Sequence, residues 1–228
     1  MKLSLSSLVF FSVFVLAMMP GLGRAESLLW AMDLKDQPLG PAPIIGENFE
    51  IREENGERFL AKVAEGTVFF PKTILSVQET QNWNDIIVRV RYREEERFGT
   101  ALSVKRNGLR DGDNFIWYYV TVQADGITVS CHGLKDSTLP PTDPRLHSTV
   151  KFESIGAAAL GLSEWLNVEA RVGNEVIQVT VDNGDGAPRK AEFPTLPGAG
   201  GVQLLALYKG DFSSFSVHQS DTPIEAGK

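Results

Sequence analysis

The chain has 228 residues, of which 43% are hydrophobic and 22% charged. These are ordinary globular proportions that exclude a disordered chain, a coiled coil and a polytopic membrane protein. With 22 Lys and Arg against 29 Asp and Glu, the formal charge of −7 gives no support for nucleic acid as a partner.

The first segment reads as an export signal. Lys2 supplies a positive end, Leu3 to Met19 is an apolar run broken only by serines, and Pro20 and Gly21 end it. Gly23-Arg24-Ala25 puts small residues at the two positions a signal peptidase reads, so residues 1–25 are expected to be removed before Glu26. Loss of Lys2 and Arg24 takes the formal charge from −7 to −9 over the remaining 203 residues. No second apolar segment of membrane length follows, so no membrane span is expected after cleavage. Cys131 is the only cysteine, which forbids an intramolecular disulfide, and none stands at the cleavage site to carry a lipid. A periplasmic or secreted location is expected.

From about residue 30 the apolar residues recur with period two, in short segments separated by Gly, Pro, Asn and Asp. The spacing predicts strands at Asn48 to Glu53, Glu57 to Val63, Asp85 to Arg93, Gly99 to Lys105, Phe115 to Gln123 and Ile127 to His132. Further strands follow at Trp165 to Val172, Glu175 to Asp182, Val202 to Tyr208 and Ser213 to His218. Glu54-Asn55-Gly56, Ala124-Asp125-Gly126 and Gly173-Asn174 carry tight-turn chemistry, with residues that tolerate positive φ. Pro38 to Pro43 and Leu134 to Ser148 are expected to be surface loops. With no internal repeat or linker, residues 26–228 are expected to form one all-β domain with short flexible termini: a two-sheet antiparallel jelly-roll sandwich.

Strand parity sorts each strand into an inward and an outward set. Ile86, Val88, Val90 and Tyr92 oppose Arg89, Arg91 and Arg93, while Ile116, Tyr118, Val120 and Val122 oppose Trp117, Tyr119, Thr121 and Gln123. Ile127, Val129 and Cys131 oppose Thr128, Ser130 and His132. Leu166, Val168 and Ala170 oppose Asn167, Glu169 and Arg171, and Ile177, Val179 and Val181 oppose Gln178, Thr180 and Asp182. If these strands share a sheet, Arg89, Arg91, Trp117, Tyr119, Arg171 and Gln178 meet on one face. Aromatic rings there offer apolar surfaces to pyranose C–H groups, and Arg, Gln and Glu offer planar partners to vicinal hydroxyls, so the expected partner is a glycan or oligosaccharide. The competing reading is a solvated sheet face held by cross-strand Arg and Glu pairs.

The order of motifs resembles the concanavalin A-like lectin/glucanase jelly rolls, and within them the bacterial 3-keto-disaccharide hydrolase-like domains. The likeness is carried by Asn82 to Val90 (NWNDIIVRV), Phe115 to Val120 (FIWYYV), the hairpin Glu164 to Gly184 (EWLNVEARVGNEVIQVTVDNG) and the closing pair Gly201 to Leu204 with Phe212 to Val217. It implies a jelly-roll fold, carbohydrate recognition and, as an alternative, glycoside hydrolysis. The chain departs from the hydrolase-like members in lacking their glycine-glutamate strand. It also lacks the E-x-D-x-x-E strand of laminarinase-type enzymes. If it cleaves a glycoside, Glu169 is the best acid or base and Asp182 its weaker partner. A third reading is a non-catalytic envelope interaction domain.

Other chemistry finds no signature: H-E-x-x-H, C-x-x-C, G-x-S-x-G, a P-loop and a dinucleotide fingerprint are all missing. His132, His147 and His218 are far apart in sequence, and no metal site is expected from them. No cofactor is expected, although Asp111-Gly112-Asp113-Asn114 and Asp182-Asn183-Gly184-Asp185-Gly186 offer the clustered oxygens calcium prefers as well as plain turn chemistry. Cys131 falls on the inward parity, as a small hydrophobe rather than a nucleophile.

Overall fold

The computed structural model describes residues 26–41, 48–63, 68–69, 83–94, 100–111, 114–123, 125–134, 138–152, 165–184, 187–206 and 210–227. The expected export signal lies outside them. Fifteen strands are formed among these residues: β1 (Glu26–Ala31), β2 (Gly40–Pro41), β3 (Phe49–Glu54), β4 (Glu57–Lys62), β5 (Val68–Phe69), β6 (Ile86–Glu94), β7 (Thr100–Asp111) and β8 (Asn114–Gln123). They continue with β9 (Gly126–His132), β10 (His147–Lys151), β11 (Leu166–Val172), β12 (Val176–Asp182), β13 (Arg189–Pro194), β14 (Gly201–Ala206) and β15 (Gly210–Ser220). Every predicted strand is present. Sequence reading missed β1, β2, β5, β10 and β13, and ran the proline-rich loop two residues into β10, where His147 to Lys151 pair with Ser130 to Gly126.

Two antiparallel sheets stack as the expected all-β jelly-roll sandwich. One has nine strands in the order β13-β12-β11-β6-β15-β4-β3-β2, with β1 also on β15; the other has six, in the order β10-β9-β8-β7-β14-β5. β15 is the longest scaffold of the larger sheet. One edge pairs with β6 from Gly210 to Gln219, and the other takes β4 at Gly210 to Phe212 and β1 at Ser216 to Ser220.

The inward sets predicted by parity form the core. Val88, Val90, Tyr118, Val120, Val129, Val168, Ala170, Val179 and Val181 are buried in one continuous cluster with Phe49, Leu60, Phe193, Phe212 and Phe215. Burying each of the Val, Leu and Phe side chains is worth about 1.5–3 kcal/mol, more than the roughly 1 kcal/mol span of strand propensities, so burial fixes the register. Asn55 and Gly56, at φ 52 and 79, make the two-residue turn of the β3–β4 hairpin, as their chemistry predicts.

Gly173 has a different reason from the one its turn position implies. A Cβ there would stand 2.0 Å from the Ile224 carbonyl oxygen, because the segment after β15 crosses the outer face of the larger sheet at this point. Ile224 packs on Ile87 and Val176, which explains why Ile87 is buried although its parity is outward. Asp85, itself at φ 54, accepts the Ile224 N–H at 2.8 Å through its side chain and the Ser220 N–H at 2.8 Å through its carbonyl.

One end of the sandwich is closed by a buried lysine. Lys105, with left-handed φ 55 in the irregular part of β7, is 1% exposed. Its ammonium donates to the Asn174 carbonyl at 2.5 Å, Thr195 Oγ1 at 2.7 Å and the Leu196 carbonyl at 3.0 Å. It therefore ties the six-stranded sheet to the loops that follow β11 and β13 of the other. Beneath it the Tyr118 hydroxyl accepts the Leu196 N–H at 2.8 Å and donates to the Arg145 carbonyl at 2.9 Å, pinning the proline-rich loop. That loop is stiffened by Asp143, whose carboxyl the Arg145 guanidinium and N–H hold down to about 2.

Burial pushes the Lys105 ammonium down to about 7, against the opposing charges of Glu175 and Asp85. An unfolded lysine titrates near 10.5, so between these values the unfolded chain holds more protons and stability rises with pH. Denaturant unfolding at pH values from about 7.5 to 10 should show the stability of the native protein, relative to a Lys105→Met variant, climbing by roughly 1 kcal/mol per pH unit. Parallel pH profiles for the two proteins would refute this.

Candidate functional site

The expected single face is in fact two. Arg89 and Arg91 (β6), Glu169 and Arg171 (β11) and Gln178 and Asp182 (β12) stand on the nine-stranded sheet, whereas Trp117 and Tyr119 stand on β8 of the six-stranded one. Both groups point outward from the core between the sheets, so they lie on opposite sides of the molecule. Parity settles which side of its own sheet a residue faces, but not which sheet it belongs to. This is the physical reason the sequence merged them.

On the larger sheet the arginines are engaged with carboxylates. Arg89 lies opposite Glu169 in the β11–β6 register and donates to it through Nε at 2.8 Å, while Nη1 and Nη2 grip both oxygens of Glu26 at 2.7 and 3.0 Å. These bonds raise the Arg89 guanidinium and hold the Glu26 carboxyl below its usual range. Arg91 pairs with Glu57, donates to Ser213 Oγ at 3.1 Å and stacks over Trp165 at 4.5 Å. Arg93 pairs with Asp211 at 2.8 Å and Glu54 at 2.7 Å beside the same indole. Gln178 donates to Glu192 at 3.0 Å and to the Glu225 carbonyl at 2.9 Å. Much of this face is therefore the cross-strand ion-pair lattice of the competing reading.

Two shallow depressions remain on it. One, of about 400 Å³, is lined by Glu169, Arg171, Gln178, Thr180, Lys190 and Glu192. The other, of about 460 Å³, shares Glu169, Thr180 and Lys190 with it and extends to Arg89, Arg91 and Asp182. Glu169 and Asp182 thus border one space. Glu169 is the shared acceptor of Arg89 and, at 3.5 Å, Arg171; Asp182 accepts the Gly184 N–H at 2.8 Å and closes a turn.

The six-stranded sheet carries a different surface. Tyr119 pairs with Ser103 on one side and Ser130 on the other, Ser103 with Gln203, and Ser130 with His147. Gln203, Ser103, Tyr119, Ser130 and His147 are thereby one row across β14, β7, β8, β9 and β10, about 19 Å long at the usual strand spacing. Trp117 and His132 are paired beside it. Their rings stack 6.1 Å apart at 14°, and Tyr119 meets the His132 ring edge-on at 4.5 Å. Ser130 Oγ and His132 Nε2 are 2.9 Å apart. Burial, and secondly the nearby His147, push the His132 imidazole below its usual value. Ser103 and Gln203 are 0% and 4% exposed, yet among the described residues Ser103 Oγ and Gln203 Oε1 have no hydrogen-bond partner. Sequence reading placed Thr128 and Ser130 on an outward face but passed over Ser103, His147 and Gln203. Alternation of Ser103 against Leu102 and Val104, and of Gln203 against Val202 and Leu204, was the available signal.

Among the described residues no three His, Cys, Asp or Glu side chains converge on a possible metal site, and no helix is long and apolar enough to cross a membrane. Of the two acidic turns weighed for calcium, residues 112–113 and 185–186 lie outside the described residues. Cys131 packs against the core, and burial pushes its thiol up, in keeping with a small apolar role.

No protein-family model and no curated protein matches the chain. Among solved structures it is similar to SCLam, a non-specific endo-β-1,3(4)-glucanase from family GH16, with 12% identity over 86% of this chain and 91% of that one and a TM-score of 0.52. A mutant of the same glucanase, co-crystallised with 1,3-β-D-cellobiosyl-cellobiose, aligns with 13% identity over 86% and 95% of the two chains and a TM-score of 0.50. A protein of unknown function with a galectin-like fold from Bacillus subtilis aligns with 12% identity, 85% and 96% coverage and a TM-score of 0.47. The fold is that of the concanavalin A-like lectin/glucanase jelly rolls.

If the Arg89 network is structural, its members are coupled. A double-mutant cycle with Arg89→Met and Glu169→Gln, read by denaturant unfolding, should give a coupling of roughly 0.5–1.5 kcal/mol. Strictly additive losses would show that the pair contributes nothing to the fold.

Proposed function

We propose that this is an exported carbohydrate-binding jelly roll whose glycan lies along the outer face of the six-stranded sheet. The observation that carries this reading is the row of Tyr119, Ser130 and His147 with Trp117 and His132 beside it. It combines aromatic ring faces with hydroxyl and imidazole groups that remain accessible, whereas Ser103 and Gln203 at the far end of the row are buried. Stacking on a sugar ring supplies apolar contact, and vicinal hydroxyls satisfy hydroxyl and imidazole partners. Glycosidic cleavage of the 3-keto-disaccharide hydrolase type would have to use Glu169 and Asp182 on the other sheet, where both carboxylates already serve as fixed acceptors.

Export is supported by the apolar run after Lys2 and the small-residue boundary at Gly23-Arg24-Ala25. A periplasmic or secreted location follows, with a glycan as the partner.

A glycan array with each hit incubated overnight and examined for products by mass spectrometry tests the reading. Retention without cleavage is expected, and Trp117→Ala should weaken it by about tenfold or more while the unfolding midpoint is kept. Retention that ignores the Trp117 substitution would discard this face; cleavage products would instead support the hydrolase alternative.

A further inference from the structure

We propose that the outer face of the nine-stranded sheet holds a second site, centred on Arg171, for the carboxylate of an acidic, uronate-type saccharide. The proposal shares with the preceding section only the premise that ligands are saccharides; its residues lie on the opposite side of the sandwich.

Arg171 is the one arginine of this face left largely unmatched among the described residues. Arg89, Arg91 and Arg93 each pair with a carboxylate, but among the described residues Arg171 has one long ion-pair contact, from Nη1 to Glu169 at 3.5 Å, with the charge of Glu26 further off. Its Nε and Nη2 are sealed from water and have no hydrogen-bond partner. Those two N–H groups point in parallel from one edge of the guanidinium, the edge that takes both oxygens of a carboxylate. Leaving charged donors buried and unmatched is costly, and a ligand that completes them recovers that cost.

The surroundings fit a sugar that carries such a group. Arg171 borders the 400 Å³ depression with Gln178, Thr180, Lys190 and Glu192. Lys190 stands opposite Thr180 on β13, is exposed, and supplies a second positive charge at the rim. Glu192, Gln178 and Thr180 offer acceptors and donors for hydroxyls. The side chain facing Arg171 across the β11–β12 pair is Gln178, half-buried and turned to Glu192 and the Glu225 carbonyl. A ligand reaches the guanidinium edge only by displacing the groups that cover it. Neutral glycans leave the Arg171 donors unmatched, so the site discriminates by charge.

Calorimetric titration of the purified protein with trigalacturonate, its methyl ester and acetate tests the site. Trigalacturonate should bind about tenfold or more tightly than the ester. Arg171→Lys, which keeps the charge but loses the two-pronged edge, should abolish that preference, and Lys190→Ala at the exposed rim should weaken trigalacturonate binding without altering the unfolding midpoint. Equal affinity for acid and ester, a preference that survives Arg171→Lys, or acetate binding as tightly as trigalacturonate would each overturn the proposal. A Trp117→Ala variant separates the two sites: retained trigalacturonate binding with lost neutral-glycan binding is expected. Neutral-glycan binding without any uronate preference would remove the second site alone.

Discussion

Everything in this molecule follows from the requirement that each strand bury one of its two faces. The inward sets of both sheets meet in one apolar layer from Phe49 to Val217, and the gain from that layer leaves no freedom to slip a strand by one residue, since a slip would exchange all of its buried side chains for polar ones. The outward sets are consequently placed by the core rather than by one another. That is how Arg89, Glu169, Thr180 and Lys190 come to stand in line across four strands, and how Trp117 comes to face His132.

The two outer surfaces are chemically distinct because their polar groups are satisfied differently. On the larger sheet, opposite charges sit directly across from one another and neutralise locally, an arrangement that orders long side chains and covers the sheet. On the smaller sheet few charges stand among the described side chains of the outer face; rings pack on rings and short polar side chains fill the spaces between them. A surface of the first kind loses hydrogen bonds when a neutral ligand displaces its ion pairs. A surface of the second kind has less to lose. This difference is why the proposed glycan is assigned to the aromatic face, and why a ligand on the lattice is proposed only where its own pairing is incomplete.

Legibility in the sequence divides along the same line. The ten predicted strands and their inward sets depend on local alternation, and Ile86, Val88, Val90, Leu166, Val168 and Ala170 could be named without knowing any partner. Strand partnership is non-local, so Trp117 and Arg89 were indistinguishable in parity although they belong to different sheets. Short strands with mixed composition, such as β13 with its Arg-Lys-Ala-Glu start, carry too weak an alternation to be seen. Two further features were invisible because their cause is remote: Gly173 is required by a carbonyl 51 residues later in the chain, at Ile224, and Lys105 is drawn inward by oxygens at positions 174, 195 and 196. Nothing in the residues around 105 distinguishes it from a solvated lysine.

The pairing of Glu26 with Ser220 brings the start of β1 against the finish of β15. Two strand ends that lie side by side in an antiparallel ladder are only about 5 Å apart, but the chain runs on from Ser220 across the sheet to Gly227, whose N–H donates to Glu192 of β13. A tether before Glu26 therefore leaves from beside β15 within the larger sheet, and one after Gly227 leaves from beside β13 at its edge. Immobilised through either end, the molecule keeps its aromatic row clear of the anchoring edge.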